Sequence, residues 1–287
     1  MQPSQNRRLE LARRALARYI ARISPFCPIG PIGRIGPIGP AHARRHTTDR
    51  PIPAGLPIGD AYQQATHYSR RQGRVPTLGQ IEPAEGLVAL PKPETEDGTG
   101  LWTAIRARRS IRDFRPDALP LDQLSQLLWA TQGITAARHG FAFRASPSAG
   151  ACYPLNTYVV VNRVAGLAPG LYVYDIGEAA LGRRRSGDLS AAIAAACLDQ
   201  EMAAQAAVVF AWAAVVGRSK ERYAERAYRY IYMDAGHVGQ NLHLAATALG
   251  LGCCAIGAFF DTEVNTLLGV DGLDEAAVYL SAVGVPA

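Results

Sequence analysis

Residues 230–259, YIYMDAGHVGQNLHLAATALGLGCCAIGAF, combine a long helical pattern with an apolar strand pattern that follows it directly. Ala, Leu and His recur on successive turns over 230–249, and Gly250 comes next, which predicts a long helix that ends at this glycine. Residues 254–259 predict a buried strand, in which Gly257 marks a close approach of another backbone or a ligand. Because GLGCC opens a strand and not a helix, it does not resemble the phosphate-binding turn of a Rossmann domain.

The flanking sequence alternates between strand and helix patterns and contains few β-α-β units. Strand patterns occupy 157–161, 171–175, 180–184, 207–216 and 277–283. Helical patterns occupy 101–107, 121–130, a segment that opens at Asp188, and 262–268. Residues 59–98 predict no regular element and suit an extended arm. This order of elements predicts an α+β fold.

The positive charge of the chain is concentrated at its N-terminus. Residues 1–50 contain ten arginines against Glu10 and Asp49, a net charge of +8, so residues 51–287 contain 20 basic and 22 acidic side chains, a net charge of −2. We therefore predict a basic, low-complexity, disordered tail over 1–57 and a folded domain over 58–287, with an arm at 58–100 and a core at 101–287. A basic amphipathic helix on an anionic membrane surface is an alternative for the tail. The folded part is too acidic to predict a nucleic-acid partner.

Cysteine usage and hydropathy restrict the class of protein further. The five cysteines include no CxxC pair, so neither a disulfide framework nor a metal site is indicated, and a reducing, cytoplasmic location is expected. Cys253 and Cys254 lie in an apolar run and are interpreted as buried small hydrophobic residues. No apolar stretch is long enough for stable membrane insertion.

Two short segments contain residues that could bind a ligand. RARRSIRDF at 106–114 groups three arginines, Arg108, Arg109 and Arg112, with Ser110, and guanidinium forks and a hydroxyl suit phosphate oxygens. A solvated arginine surface is the alternative. SPSAGACYP at 146–154 offers a loop of small residues whose backbone a flat ligand can approach closely. An ordinary turn before a strand is the alternative here.

The order and separation of six motifs resemble the SagB-type dehydrogenase branch of the FMN-dependent nitroreductase superfamily, over about 230 residues. No single motif is specific to that branch, but the series is. The motifs are RRSIRDF at 108–114, LLWA at 127–130, PSAGACYP at 147–154, PGLYVYD at 169–175, the helix from YRY to GLG at 228–252, and IGAF at 256–259. The arm also fits, because ATHYS at 65–69 is similar to a segment of the family.

The resemblance implies a three-layer α/β/α sandwich with a central, mostly antiparallel sheet. It also implies a homodimer that associates through long helices, with one FMN at each of two interface sites. The positions that match cofactor contacts fall into three groups. Arg108, Ser110 and Arg112, with their neighbour Arg109, match contacts to the FMN phosphate and pyrimidine edge; Ser148, Ala149 and Gly150 match the loop under the isoalloxazine ring; Gly257 and Ala258 match the backbone beside flavin N5.

One departure from the family concerns proton transfer. Many members have a Lys-Tyr pair just before the YRY helix, and here Arg222-Tyr223 occupies that place. Arginine is not a general base near neutral pH. The catalytic candidates are therefore Tyr223, as an acid or base, and Lys220, two residues before Arg222. A packing tyrosine and a solvated lysine are the alternatives.

We accordingly expect an FMN-dependent oxidoreductase that works by ping-pong hydride transfer through flavin N5. As a SagB-type dehydrogenase it would act on a peptide-derived or other small heterocyclic substrate. An NAD(P)H-dependent nitro or quinone reductase is one alternative, and a non-catalytic flavin-fold scaffold in a biosynthetic complex is another. Among the polar residues of the long helix, His237, Gln240 and Asn241 are interpreted as structural, and Asp234 is expected to pair with a nearby arginine.

Overall fold

The computed structural model describes residues 55–65, 85–95, 98–138 and 141–287. The predicted tail lies outside these ranges except for residues 55–57. The helices are α1 Ile58–Ala65, α2 Leu101–Ala107, α3 Leu121–Gln132, α4 Ser190–Ala196, α5 Glu201–Gln205, α6 Val216–Tyr223, α7 Ala227–Ala248 and α8 Asp261–Leu268. The strands are β1 Glu85–Ala89, β2 Ile134–Arg138, β3 Phe141–Arg144, β4 Leu155–Val161, β5 Gly170–Asp175, β6 Ala180–Ser186, β7 Val208–Val215, β8 Gly252–Ile256 and β9 Glu275–Gly284.

Seven strands form one sheet in the order β1-β6-β5-β4-β7-β9-β8, while β2 and β3 form a separate hairpin. Every pair of neighbouring strands described in the sheet is antiparallel. β7 is an interior strand that pairs with β4 over residues 208–214 and with β9 over its whole length. The prediction of an α+β fold with a mostly antiparallel sheet is confirmed.

The alternation of side chains along β7 divides the core into two layers. Phe210 and Trp212 point to the face covered by α3 and α7, whereas Val209 and Ala211 point to the face covered by α4, α5 and α8. Both faces of β7 are fully buried, which explains its continuous apolar sequence VVFAWAAV. Helices on both faces of one sheet make the three-layer sandwich that the resemblance implied.

Several elements differ from the sequence prediction, and the hairpin of β2 and β3 and the helices α5 and α6 were not predicted at all. Residues 59–98 were predicted to be irregular, but α1 and β1 lie there, and β1 is an edge strand that pairs with β6. The predicted strand 207–216 ends at Val215, because Val216 begins α6. Gly257 was predicted inside a buried strand, but β8 ends at Ile256 and Gly257 lies exposed in the following loop.

Two glycines allow the arginine segment to pack across one end of the sheet. A Cβ atom on Gly252 would lie 2.8 Å from Ile111 Cγ2, and one on Gly284 would lie 3.0 Å from Phe114 Cδ1. Phe114 also forms an isolated β-bridge with Pro286, two residues after the end of β9. These contacts fix the course of the chain that presents the arginines.

Replacement of Gly252 by Ala is expected to lower the free energy of unfolding by about 1–3 kcal/mol, because the added methyl group overpacks against Ile111. Gly217→Ala is the matched control, because a Cβ there meets no atom within 4 Å. The control is expected to be neutral or slightly stabilising. Urea denaturation of the two variants checks this, and equal stability of both would contradict the close packing.

Candidate functional site

The arginine segment lies along β8, at the edge of the sheet. The Ile111 amide donates to the Cys253 carbonyl at 3.0 Å, and Ser110 forms a bridge with Cys253. Arg108 is half-buried, whereas Ser110 and Arg112 are exposed. Among the residues that the structure describes, neither Arg108 nor Arg112 has a carboxylate within ion-pair distance. Both guanidinium groups are therefore available to an anionic ligand.

Arg109 has a different role. Its Nη1 donates to the Arg106 carbonyl at 3.0 Å and to the Arg108 carbonyl at 2.7 Å. These are carbonyls at the end of α2, which lack partners within the helix. Arg109 thus stabilises the turn on which Arg108 lies, and its contact with a cofactor stays a prediction.

A neutral histidine lies beside the arginines. His243 on α7 is 6% exposed, and its Nδ1 has no hydrogen-bond partner in the described part of the chain. Burial lowers the pKa of His243, and the charge of Arg108 lowers it further. Burial also raises the pKa of the Cys253 thiol, against the opposing charge of Arg108. Both groups are neutral at physiological pH, so the arginines set the local charge.

The loop that contains Ser148, Ala149 and Gly150 is anchored to α7. Ser148 Oγ donates to Asp234 Oδ2 at 2.5 Å, and the Ala149 amide donates to Asp234 Oδ1 at 3.1 Å. About two helical turns further along α7, Asn241 donates to the Ala145 carbonyl at 3.4 Å. Asp234 and Asn241 therefore hold the loop in place, which agrees with a structural role, but the partners of Asp234 are Ser148 and Ala149 and not the arginine that was expected.

Asp234 is 4% exposed, so this anchor is a buried carboxylate. Replacement by Ala leaves Ser148 Oγ and the Ala149 amide without their acceptor and is expected to lower the free energy of unfolding by about 2 kcal/mol. Asp234→Asn keeps one acceptor oxygen and should cost less. Chemical denaturation checks this order, and an equal loss in both variants would show that the charge itself is required.

The pH dependence of the same variants gives an independent check. Burial raises the pKa of Asp234 above its ordinary value of 3.8, against the lowering effect of the bonds from Ser148 and Ala149. Its stability contribution is thus fully present below the unfolded pKa and is lost as the pH rises through the folded pKa. The stability of the wild type relative to Asp234→Asn should therefore fall as the pH rises above 3.8, the ordinary pKa of an aspartate. A difference that stays constant over this range would contradict the raised pKa.

Unusual backbone conformations occur at the loop 146–154 and next to Tyr223. Non-glycine residues with positive φ are uncommon, and they concentrate at functional sites. Of the six in the described chain, Ala151 and Tyr153 lie in this loop, and Ala224 follows Tyr223. Leu198 and Asp199 precede Gln200, whose side chain donates to the Ala258 carbonyl at 3.0 Å.

Arg222 and Tyr223, at the end of α6, lie against the loop. Arg222 Nη1 donates to the Gly150 carbonyl at 3.1 Å. A Cβ atom on Gly150, where φ is 58°, would overlap the Tyr223 hydroxyl. Burial raises the pKa of Tyr223, against the opposing charge of Arg222. Tyr223 is therefore protonated at neutral pH and is suited to donate a proton and not to accept one.

Lys220 lies on the same helix but is held by two carboxylates. Its Nζ lies 3.2 Å from Asp60 Oδ2 on α1 and 2.9 Å from Glu225 Oε1. Partial burial opposes its charge, but the hydrogen bonds to Glu225 and Asp60 outweigh this effect and the pKa of Lys220 lies above its ordinary value. Tyr228 also donates to Asp60. These contacts argue against Lys220 as a base and make it a link between α1 and α6.

The predicted residues thus form two groups. Arg108, Ser110 and Arg112 lie along β8, which leads to Gly257, and Ser148–Gly150 lie with Arg222 and Tyr223. No hydrogen bond joins the two groups within the described residues. A Cβ atom on Gly257 would meet no atom within 4 Å, so there is open space beside this backbone. Guanidinium groups beside β8 without a carboxylate partner in the described chain, and open space after the end of β8, fit a ligand with an anionic part and a flat part.

Residues 105–285 match the sequence profile of the Nitroreductase family. The chain belongs to the nitroreductase family. Its members are oxidoreductases, so the expectation of an oxidoreductase enzyme is confirmed. A nitroreductase-family protein of Methanocaldococcus jannaschii is 39% identical over 163 residues, which are 57% of this chain and 81% of that protein. Described residues show no helix with the length and apolar character needed to cross a membrane.

In two further relatives, the region that matches this chain is less than half of the relative's length. The trifolitoxin-processing protein TfxB of Rhizobium leguminosarum bv. trifolii is 30% identical over 173 residues, which are 57% of this chain and 46% of TfxB. The crystal structure of an Anabaena variabilis nitroreductase superposes with a TM-score of 0.58 at 34% identity, over 65% of this chain and 38% of that one. The chain therefore spans less than half of each.

Three contacts of the site were missed in the sequence. These are the anchoring of Ser148 by Asp234, the bond from Arg222 to the Gly150 carbonyl, and the docking of α1 on α6 through Lys220. Asp234 lies within the DAGH motif, which is the signal that could have identified it. The other two join distant parts of the chain and leave no local pattern.

Proposed function

We propose that this protein is an FMN-dependent oxidoreductase of the SagB type. The observation that carries the proposal is that Arg108 and Arg112, which have no carboxylate partner within the described residues, lie on the segment beside β8, and β8 leads to open space at Gly257. An anionic phosphate would bind the arginines and Ser110. The exposed backbone of Gly257 and Ala258 would lie beside the flat part of the cofactor.

Bound FMN would supply hydride transfer, and the protein would supply binding, orientation and proton transfer. Asp234 holds the loop 148–150 in place through two hydrogen bonds, and this loop would lie under the ligand. Arg222 fixes the loop from the other side through the Gly150 carbonyl. Tyr223, whose hydroxyl lies against Gly150, would deliver a proton to the substrate.

The substrate we propose is a peptide-derived or other small heterocyclic molecule. The similarity to TfxB, which is named for trifolitoxin processing, supports this class. An NAD(P)H-dependent nitro or quinone reductase is a second candidate function. It is favoured by Arg222, because arginine replaces the lysine that many SagB-type members have at this position.

Purified protein tests both proposals. We expect a yellow protein, or one that acquires flavin absorbance when it is incubated with excess FMN. Turnover of a thiazoline-containing peptide under air is expected if the SagB-type function holds, and turnover of a quinone with NADPH if the reductase function holds. A protein that binds no FMN would contradict both and would support a scaffold.

We also propose that the protein is a homodimer with its cofactor at the interface. Two exposed surfaces support this proposal. Trp102 on α2 is 81% exposed, and Leu101 and Ile105 beside it are 57% and 46% exposed. On α7, Met233 is 55% exposed, and Gly236 meets no atom within 4 Å of an added Cβ although glycine weakens a helix interior. A second copy would cover these apolar groups.

Replacement of Trp102 by Glu is expected to shift a dimer to a monomer of 30.7 kDa in light scattering. Leu273→Glu is the matched control, because Leu273 is 59% exposed and lies in the turn before β9. A wild-type protein that is already a monomer would contradict the dimer.

A cytoplasmic location is also part of the proposal, supported by the free cysteines of the described chain.

A further inference from the structure

Two arginines and two tyrosines form a row beside the loop 148–150. The Arg222 guanidinium carbon lies 5.9 Å from the Tyr223 ring centroid, and the Arg226 guanidinium carbon lies 5.7 Å from the Tyr230 ring centroid. The two rings lie 4.6 Å apart and are tilted by 58°. Each arginine therefore lies beside a different ring of one aromatic pair, and we call these four residues the Arg-Tyr row.

The arginines of the row keep most of their hydrogen-bonding capacity. Arg222 donates once, to the Gly150 carbonyl at 3.1 Å, and Arg226 Nε donates to the Tyr230 hydroxyl at 3.0 Å. Both side chains are exposed, and no carboxylate of the described chain lies within ion-pair distance of either. Lys220, on the same helix as Arg222, is paired with two carboxylates. The positive charge of Arg222 and Arg226 is therefore not neutralised by a carboxylate of the described chain, whereas that of Lys220 is.

We propose that the Arg-Tyr row is the part of the site that recognises the substrate, and that it selects a planar ring bearing a carboxylate. A guanidinium group forks onto a carboxylate through two N–H donors, and tyrosine rings offer a flat apolar surface to an aromatic or heteroaromatic ring. The contact of Tyr223 with Gly150 places one end of the row at the loop under the proposed flavin. This inference rests on the proposed function, because it identifies the substrate class of that same site.

The row also explains the exchange of lysine for arginine at position 222. A lysine ammonium is a point charge on a flexible stem, whereas a guanidinium is planar, pairs with a carboxylate in two places and lies flat against rings. Arg222 cannot remove a proton, but it can hold an anionic substrate beside the Tyr223 hydroxyl. Arginine at position 222 therefore gives up the role of a base and takes part in selecting an anionic substrate.

The test compares the binding of 4-nitrobenzoate with that of its neutral analogue 4-nitrobenzamide. Titration of the FMN-loaded protein, followed by the flavin difference spectrum, is expected to give a dissociation constant about tenfold lower for the carboxylate. Arg222→Gln and Arg226→Gln should each remove most of this preference. Arg229→Gln is the matched control, because it removes the same charge from an exposed position of α7 outside the row.

The outcomes separate this inference from the proposed function. A protein that binds FMN but treats the two probes alike, or one in which Arg229→Gln has the same effect as Arg222→Gln, would overturn the Arg-Tyr row and leave the flavin proposal intact. A protein that binds no FMN overturns the proposed function, and the probe preference is then measured by saturation-transfer NMR. Arg222→Lys keeps the positive charge but lacks the two parallel N–H donors of the guanidinium group. An intermediate preference for the carboxylate in this variant would support the Arg-Tyr row and would show that the loss in Arg222→Gln is not caused by misfolding.

Discussion

Replacement of Arg108 and Arg112 together by Gln is expected to weaken FMN binding by about a thousandfold. Hydrogen bonds to a charged group contribute roughly 1.5–3 kcal/mol each, and a phosphate would lose at least two of them. Neither arginine is paired with a carboxylate within the described residues, so their removal leaves no buried acid uncompensated. Quenching of FMN fluorescence on addition of flavin-free protein measures the change.

The control for this variant is Arg115→Gln, which removes one positive charge from the same stretch of chain. Arg115 is paired with Asp117 at 3.1 Å, and both side chains are 56% exposed, so its loss is expected to have little effect on stability or on FMN. Increasing the salt concentration should weaken binding to the wild type more than to the double variant. A double variant that binds FMN as tightly as the wild type would exclude these arginines as the phosphate site.

Several elements of the fold were predictable because each has a local pattern of its own. The predicted helix 101–107 is α2, the predicted strand 207–216 contains β7, and the predicted helix 230–249 overlaps most of α7. α2 and β7 differ in kind: β7 is apolar at every position because both its faces are covered, and α2 is short and mostly exposed. In both cases the pattern within the segment is sufficient.

The strands that were missed depend on pairing with a neighbouring strand and lack a clear local pattern. β1 is five residues long and pairs with β6, where Val88 lies opposite Leu181. The hairpin of β2 and β3 places Ile134 and Phe143 at the surface, 38% and 41% exposed, so it lacks the alternation of a half-buried strand. Such strands form because a neighbour offers hydrogen bonds, and a local pattern does not contain that information.

The site divides in the same way. The residues of the arginine segment and of the loop were identifiable because charge and small side chains are visible in sequence. The contacts that organise them were not, since Asp234 lies 86 positions from Ser148 and Arg222 lies 72 positions from Gly150. Lys220 shows the converse, because its spacing from Tyr223 suggested a base and its two carboxylate partners hold it charged.

Replacement of Tyr223 by Phe is expected to lower turnover by about a hundredfold, while FMN binds as it does in the wild type. The variant removes the hydroxyl that lies against Gly150 and keeps the ring that packs 4.6 Å from Tyr230. Burial raises the pKa of Tyr223 above its ordinary value of 10.0, against the charge of Arg222, so the hydroxyl carries its proton at neutral pH. A donor must be protonated, and the rate in the wild type should therefore fall as the pH rises above this pKa.

The measurement that distinguishes proton donation from packing is the pH profile, because a packing role would not remove an alkaline decline in rate. The decline should be present in the wild type and absent in Tyr223→Phe, whose residual rate has no titrating donor. Tyr232→Phe is the matched control: it removes a hydroxyl from α7 that donates to Gln63 on α1 and should leave both the rate and the profile unchanged. Equal rates in Tyr223→Phe and the wild type would assign the proton to solvent and leave Tyr223 as part of the Arg-Tyr row alone.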